Sequence, residues 1–384
     1  MSFASLAVVV VAGIAGPLVA LPGRWRLPVL LGELLAGLAL GRAGIGYLHP
    51  DEKTFAFLGQ LGFALVMFVA GSHVPIRTPA IRTAVRPAAA RAVAVGVAAA
   101  VLGEALGHAF GTGHGALYAV LMASSSAAVV IPAVQSLSVP DTPELLACLA
   151  QVALADAVCV VALPLAIEPS RAGRAALAAA VVLAVAGLAF VGLRAVERAG
   201  WRQRLHRISE HRRFALELRI SLAVLFAVAA LAVALDISIL LAGFSLGLAV
   251  AAVGPPRRLA RQLFALTEGF LGPLYFVWLG SSLDVRGLGA NPRFVVISVL
   301  LGLGAVLCHG VARVLGQPLS LAALAAAQLG VPVAAATIGE QLKILAPGEG
   351  PALVLGALIT VALSLTGGAA WARNRPRSDE AAIG

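Results

Sequence analysis

Charge is scarce in this chain, and that scarcity decides the broad class of protein. Of 384 residues only 12% are Asp, Glu, Lys or Arg, about half the share of roughly 25% typical of soluble domains. The net charge of +10 is not gathered into a basic domain, so nucleic-acid binding is excluded. Cysteine is also rare. Cys148, Cys159 and Cys308 all fall inside apolar runs, which rules out a disulfide framework and suggests small buried groups. No paired-aspartate, zinc or Ser/His arrangement occurs at a shared depth, so the chain is not read as an enzyme. Nothing in it asks for a cofactor.

What the chain does have is apolar surface. Ala, Val, Ile, Leu, Met, Phe, Trp, Tyr and Cys make up 60% before its 41 glycines are counted, and mean hydropathy is +0.97. A soluble core could not bury so much, so the solvent for most of the surface is lipid. Runs of spanning length recur near 3–22, 28–43, 54–73, 87–109, 115–137, 144–167, 173–193, 215–235, 236–253, 263–282, 294–315, 320–341 and 350–371. Their length and their Ala and Leu content exclude strands. In lipid a helix satisfies its own backbone, so the expectation is an all-α polytopic membrane protein with about thirteen transmembrane helices. Only 235-LDIS-238 divides the eighth run from the ninth, so twelve is the rival count. Met1–Gly23 carries no Lys or Arg, and the first run is read as a retained helix rather than a signal peptide.

Arginine placement gives an orientation. The odd-numbered loops and the tail hold Arg24, Arg26, Arg77, Arg82, Arg86, the stretch 194-RAVERAGWRQRLHRISEHRRF-214 and Arg373, Arg375 and Arg377, while the even loops hold far fewer. The arginine-rich side is expected in the cytoplasm, with the N-terminus outside and the C-terminus inside. These arginines also favour anionic lipid head groups.

Four features suggest chemistry. Asp156 is the only charge in 146-LACLAQVALADAVCVVALPLAI-167. A carboxylate at the bilayer centre costs about 2.5–3.5 kcal/mol on insertion scales, so such a residue is expected to line a cavity and handle ions. The fifth run contains 122-MASSSAAVVIPAV-134, where Ser124, Ser125 and Ser126 precede Pro132. Taken alone it reads as a kinked helix with back-bonded serines, or as an unwound stretch that coordinates a cation. The twelfth run, 326-AAQLGVPVAAATIGEQ-341, is interrupted at Gly330 and Pro332. Runs five and twelve cross in opposite senses. Two interrupted helices at matching places in inverted halves are a sequence pointer to a transport site, with breaks expected at Ser124, Pro132, Gly330 and Pro332. His309 in run eleven lies near the midplane, as a packing residue or a second proton carrier. Glu33 and Glu268 are further intramembrane acids.

The chain resembles the sodium/hydrogen exchanger superfamily, and within it the second bacterial family of monovalent cation:proton antiporters. The matching stretches, in the family's order, are 27-LPVLLGELLAGLALG-41, 61-LGFALVMFVAGSHV-74, 124-SSSAAVVIPAV-134, 153-ALADAVCVV-161, 240-LLAGFSLGL-248 and 273-PLYFVWLGSSLD-284. The resemblance implies inverted repeats with two crossing broken helices. It implies a homodimer whose scaffold helices occupy 1–86 and 215–290, and a transport core in 87–168 and 291–371. Residues 169–214 are then a linking helix and cytoplasmic loop, and 372–384 a cytoplasmic tail. The family's ion-binding aspartate falls on Asp156. The position before it, often Asp or Asn, is Ala155 here, and the family's basic residue of the eleventh helix falls on His309.

The implied activity is exchange of a monovalent cation, Na⁺ or K⁺, for protons across the plasma membrane. A proton or a cation can each neutralise Asp156, with Ser125 and Ser126 completing the cation site, but not both together. With one acid, exchange of one proton for one cation moves no net charge. An imidazole's ordinary pKa of about 6.5 would let His309 carry a second proton and make exchange electrogenic. The alternatives weighed are a sodium-coupled organic-solute symporter and a non-transporting regulatory membrane protein.

Overall fold

A computed structural model describes residues 1–21, 29–72, 79–136, 142–167, 172–199, 214–235, 239–254, 257–283 and 285–373. Most of the arginine-rich stretch 194–214 and of the tail 372–384 lies outside the described residues. Among the described residues every regular element is helical. Among the described residues ten helices are long and apolar enough to cross a membrane, and three shorter apolar ones accompany them.

These thirteen coincide in order with the expected segments. They are α1 (Phe3–Ala20), α2 (Val29–Leu40), α3 (Lys53–Ser72), α4 (Pro79–Phe110), α5, α6 (Pro143–Ile167), α7 (Ala172–Arg198), α8 (Leu216–Ala234), α9 (Ile239–Val253), α10 (Leu259–Ser282), α11 (Pro292–Gly310), α12 and α13 (Glu349–Arg373). Helices α8 and α9 are separate, which decides for thirteen over twelve. Two helices are interrupted. Helix α5 consists of α5a (Gly115–Ala123) and α5b (Ala127–Ser136), and α12 of α12a (Leu319–Ala325) and α12b (Gly330–Gln341). A short 3₁₀ stretch, Val311–Leu315, extends α11.

Helical period shows directly in the burial of α4. Val93, Val97 and Val101 are exposed, while Ala88, Val95 and Ala99 are buried. Exposed residues four apart form one stripe, and in a chain this apolar that stripe is lipid-facing.

The chain divides into two compact units. Unit 1 is Met1–Val74 with Arg174–Asp284, and unit 2 is Pro75–Gly173 with Val285–Gly384. Unit 1 holds α1–α3 and α7–α10. Its central pair, α3 and α9, packs backbone against backbone. A Cβ added at Gly71 would overlap the Phe244 carbonyl oxygen, and one at Gly247 would overlap that of Phe68. Helices α2 and α10 meet the same way through Gly37 and Gly280. In lipid there is little hydrophobic drive between helices, so small residues at the seam provide contact by close approach. A π-helical turn, Thr267–Leu271, interrupts α10 and carries Glu268.

Unit 2 holds α4–α6 and α11–α13. Helix α4 packs on α5a and α6, α13 packs on α11 and on both halves of α12, and α6 touches α5b, α12a and α12b. Both interrupted helices thus share α6 as a neighbour. Cys148, Cys159 and Cys308 are free and buried in this unit, as expected.

Candidate functional site

The site is built where the backbone of unit 2 stops being helical. Helix α5a ends at Ala123, and Ser124 turns to extended backbone at φ −71 and ψ 152. Its hydroxyl bonds back to the Leu121 carbonyl at 2.8 Å. That part of the serine cluster is local backbone satisfaction. Ser125 does something different. Its hydroxyl donates to the carbonyl oxygen of Ala325 at 2.7 Å. Ala325 is the last residue of α12a, where a helix leaves carbonyls without partners. One serine therefore ties the first break to the second. Ser124, Ser125 and Ser126 are all buried, and the Ser126 carbonyl accepts the N–H groups of Val129 and Val130 as α5b begins.

Asp156 comes to the same break from α6. It is 7% exposed, and its Oδ2 accepts the backbone N–H of Ala127 at 2.9 Å. Ala127 is the first residue of α5b. A helix start presents unpaired N–H groups and the positive end of the helix dipole, so it holds an anionic side chain. The interruption in α5 is what makes that amide available in mid-membrane.

His309 approaches from α11 and is fully buried. Its Nδ1 lies 2.9 Å from the Ala305 carbonyl oxygen, which can only accept, so Nδ1 carries a hydrogen. Its Nε2 lies 3.3 Å from the Ser125 hydroxyl. That hydroxyl has one hydrogen, engaged by Ala325 at the shorter distance. A neutral imidazole thus turns its Nε2 lone pair towards the serine oxygen, and a proton added at Nε2 would find that oxygen as acceptor.

The second break is held by residues that sequence reasoning did not single out. The backbone N–H of Gln328 donates to Thr360 Oγ1 on α13 at 3.0 Å, and that hydroxyl donates in turn to the Ala357 carbonyl at 2.7 Å. Thr360 is fully buried. A lone hydroxyl facing a freed amide is the device that an opened helix in lipid requires. The signal in the sequence was a threonine in a largely apolar run, where Ser364 and Thr366 are the other hydroxyls.

Of the expected breaks, Ser124 and Gly330 flank the openings. Pro132 and Pro332 do not. Pro132 lies inside α5b, and Pro332 is the third residue of α12b. The first-turn N–H groups of a helix have no partner, so Pro332 sits there at no cost in hydrogen bonds. Glu33 and Glu268 belong to unit 1, on α2 and α10. Ala155 is buried beside Asp156 and adds no polar atom.

A further polar network in unit 2 went unnoticed in the sequence. Glu349, at the start of α13, accepts the Tyr118 hydroxyl at 2.7 Å and the Ala346 N–H at 3.0 Å, and lies 2.7 Å from His114 Nδ1. His114 precedes α5a. Its hydrogen bond to Glu349 raises its pKa above the usual imidazole value, while burial opposes the rise.

Among the described residues no group of three or more His, Cys, Asp or Glu is placed to hold a metal ion. The oxygens at the breaks are instead one carboxylate, serine hydroxyls and the carbonyl end of a half-helix. Such a set suits a weakly held monovalent cation.

Three comparisons bear on this geometry. A family model described as "Sodium/hydrogen exchanger, transmembrane" matches residues 6–370. The putative Na(+)/H(+) antiporter YjbQ of Bacillus subtilis is 24% identical over 391 residues, covering 93% of this chain and 61% of that protein. The chain thus spans about three fifths of that relative's length. A Na(+)/H(+) antiporter of Enterococcus hirae is 42% identical over 48 residues, 12% of each chain. Among solved structures, the sodium proton antiporter MjNhaP1 from Methanocaldococcus jannaschii at pH 8 shares the fold. Its TM-score is 0.65 at 15% identity, covering 96% of both chains.

Proposed function

Because this chain belongs to the transmembrane sodium/hydrogen exchanger family, we propose that it is a secondary active antiporter, exchanging Na⁺ or K⁺ for protons by alternating access. The observation that carries the reading is the Asp156 carboxylate, buried in lipid-soluble surroundings and held on the first amide of a half-helix. A bare anion is costly there. Either a proton or a cation relieves that cost, and one site cannot take both. Exchange follows from the competition, with no covalent chemistry.

In this mechanism the loaded unit 2 moves and the bare anion does not. The Ser125 bridge keeps the two breaks together while it does so. Ser125 and Ser126 supply oxygen to the cation when Asp156 is unprotonated. A proton on His309 would sit at Nε2, beside Ser125. With one acid at the site, exchange is one for one and electroneutral unless His309 titrates during the cycle. Unit 1 is the scaffold, through which two copies form a homodimer. The protein resides in the plasma membrane, with Met1 outside and the tail in the cytoplasm.

The test is a pH-gradient assay in everted vesicles, with Na⁺, K⁺ and Li⁺ added in turn. Dissipation by at least one of them supports antiport, and failure of all three against a functional control contradicts it. In proteoliposomes an imposed voltage that shifts the rate would refute electroneutrality. Loss of that shift in His309→Gln would identify the second proton carrier.

A further inference from the structure

Unit 2 contains a second buried polar cluster, on different residues from the Asp156 site. It lies where the N-terminal half of α4 and the start of α6 meet the end of the 3₁₀ extension of α11 and the start of α12a. Arg91 of α4 is 7% exposed, and its Nε and Nη1 have no hydrogen-bond partner. Its Nη2 makes a long contact, 3.4 Å, to the Leu315 carbonyl. Gln317 is 1% exposed, and neither atom of its amide has a partner. The Leu315 carbonyl that Arg91 reaches lies two residues before Gln317, so both side chains belong to the same short stretch of unit 2. Cys148 of α6 packs against that stretch, its thiol engaged with the Leu321 carbonyl at 3.4 Å.

A structural role for Arg91 explains little of this. A cation can cap the carbonyl end of a helix, but this end closes on itself. The N–H of Gly316 bonds to Arg313 O at 2.9 Å, and the N–H of Gln317 bonds to Ala312 O at 3.2 Å. Gly316 takes the left-handed φ of +77 that such a closure needs. The long bond to Leu315 uses one of three guanidinium nitrogens. Among the described residues no carboxylate pairs with Arg91. Buried charges in proteins are ordinarily paired and buried polar atoms ordinarily bonded, so unpartnered donors on these two buried side chains ask for an acceptor.

We propose that Arg91 and Gln317 form a binding site for a small monovalent anion of the chloride class. Size and charge select that class. The cluster is enclosed, so a phospholipid head group with its acyl chains does not fit. One guanidinium balances one negative charge, and the Gln317 amide offers a further unpartnered donor. Both side chains are long and unbranched, so their rotation admits the ion without a shift of backbone. The consequence is an anion dependence of unit 2 unconnected with the ions that reach Asp156.

The experiment is equilibrium binding of radiolabelled chloride to the purified full-length protein, in sodium gluconate at constant ionic strength. The expected result is saturable binding, displaced by bromide, that weakens about tenfold or more in Arg91→Leu and in Gln317→Leu. Undiminished binding in both variants overturns the assignment, and so does the absence of saturable binding to wild type. The wild type alone provides a second arm, which stands if a variant fails to fold. Its melting temperature should be higher in sodium chloride than in sodium gluconate, and equal melting in the two salts contradicts the site. Neither arm measures transport, so either outcome is independent of antiport at Asp156.

Discussion

Replacing Thr360 with valine nearly preserves the shape of the side chain and removes its hydroxyl. The hydroxyl accepts the Gln328 N–H at 3.0 Å, inside the second break. With Thr360 fully buried, no solvent is at hand to take over, and a buried donor left unpaired costs about 1–3 kcal/mol. The other bond lost, to Ala357 O, is internal to α13, and that carbonyl keeps its ordinary helical partner. The whole effect therefore falls on the geometry of residues 326–329. A cost of about 1–3 kcal/mol corresponds to roughly a 5- to 150-fold fall in the population holding that geometry. Thr360→Val should melt at a lower temperature and need more cation for half-maximal proton release. Thr360→Ser, which keeps the oxygen, should stay close to wild type. Melting of the purified proteins and a cation titration of proton release make the comparison. If Val and Ser behave alike in both, the hydroxyl does not hold the break.

Ser125→Ala removes the tie between the breaks and leaves the Ala325 carbonyl unpaired. It should destabilise unit 2 by about 1–3 kcal/mol and weaken cation competition with protons, as read by melting and by the cation titration. Gly247→Val puts methyl groups against the Phe68 carbonyl at the α3–α9 seam. Overpacking of about 1–3 kcal/mol should lower the yield of monodisperse protein, whereas Gly187→Val, where nothing lies near, should not. The His114 pair gives a pH dependence. Its bond to Glu349 raises the folded-state pKa of His114, so its stabilising contribution is complete below the unfolded value of about 6.5 and is lost as pH rises through the raised value. Melting temperature should fall across that window, and His114→Gln should flatten the fall.

Helix number, helix order and which two helices are interrupted were legible in the sequence, because lipid leaves few options for backbone and charge. The eighth and ninth helices were separable only by a short polar interval, yet the structure keeps them apart. Asp156 stood out because it is the lone charge in its run. The partners of these groups were not legible. Proline marked the neighbourhood of each break but not its position, since Pro132 and Pro332 both fall in the half-helices that follow. The bonds from Ser125 to Ala325, from Asp156 to Ala127 and from Thr360 to Gln328 join residues 29 to 200 positions apart, or use main-chain atoms that every residue has. No local pattern encodes them. Arg91, Gln317, His114 and Glu349 were missed for a related reason: single charged or amide residues read as solvated, and only packing shows that Arg91, Gln317 and Glu349 are buried and that His114 pairs with Glu349.

The most direct test of the account is proton release on cation binding, measured without transport. Purified protein in weak buffer receives Na⁺, K⁺ or Li⁺ in turn, and the pH of the solution is followed. Competition at Asp156 predicts that at least one cation displaces protons from the wild type. It also predicts no release from Asp156→Asn, which keeps the shape of the side chain but neither titrates nor carries charge. Wild-type release from a folded Asp156→Asn protein would contradict the assignment of the exchange site to Asp156.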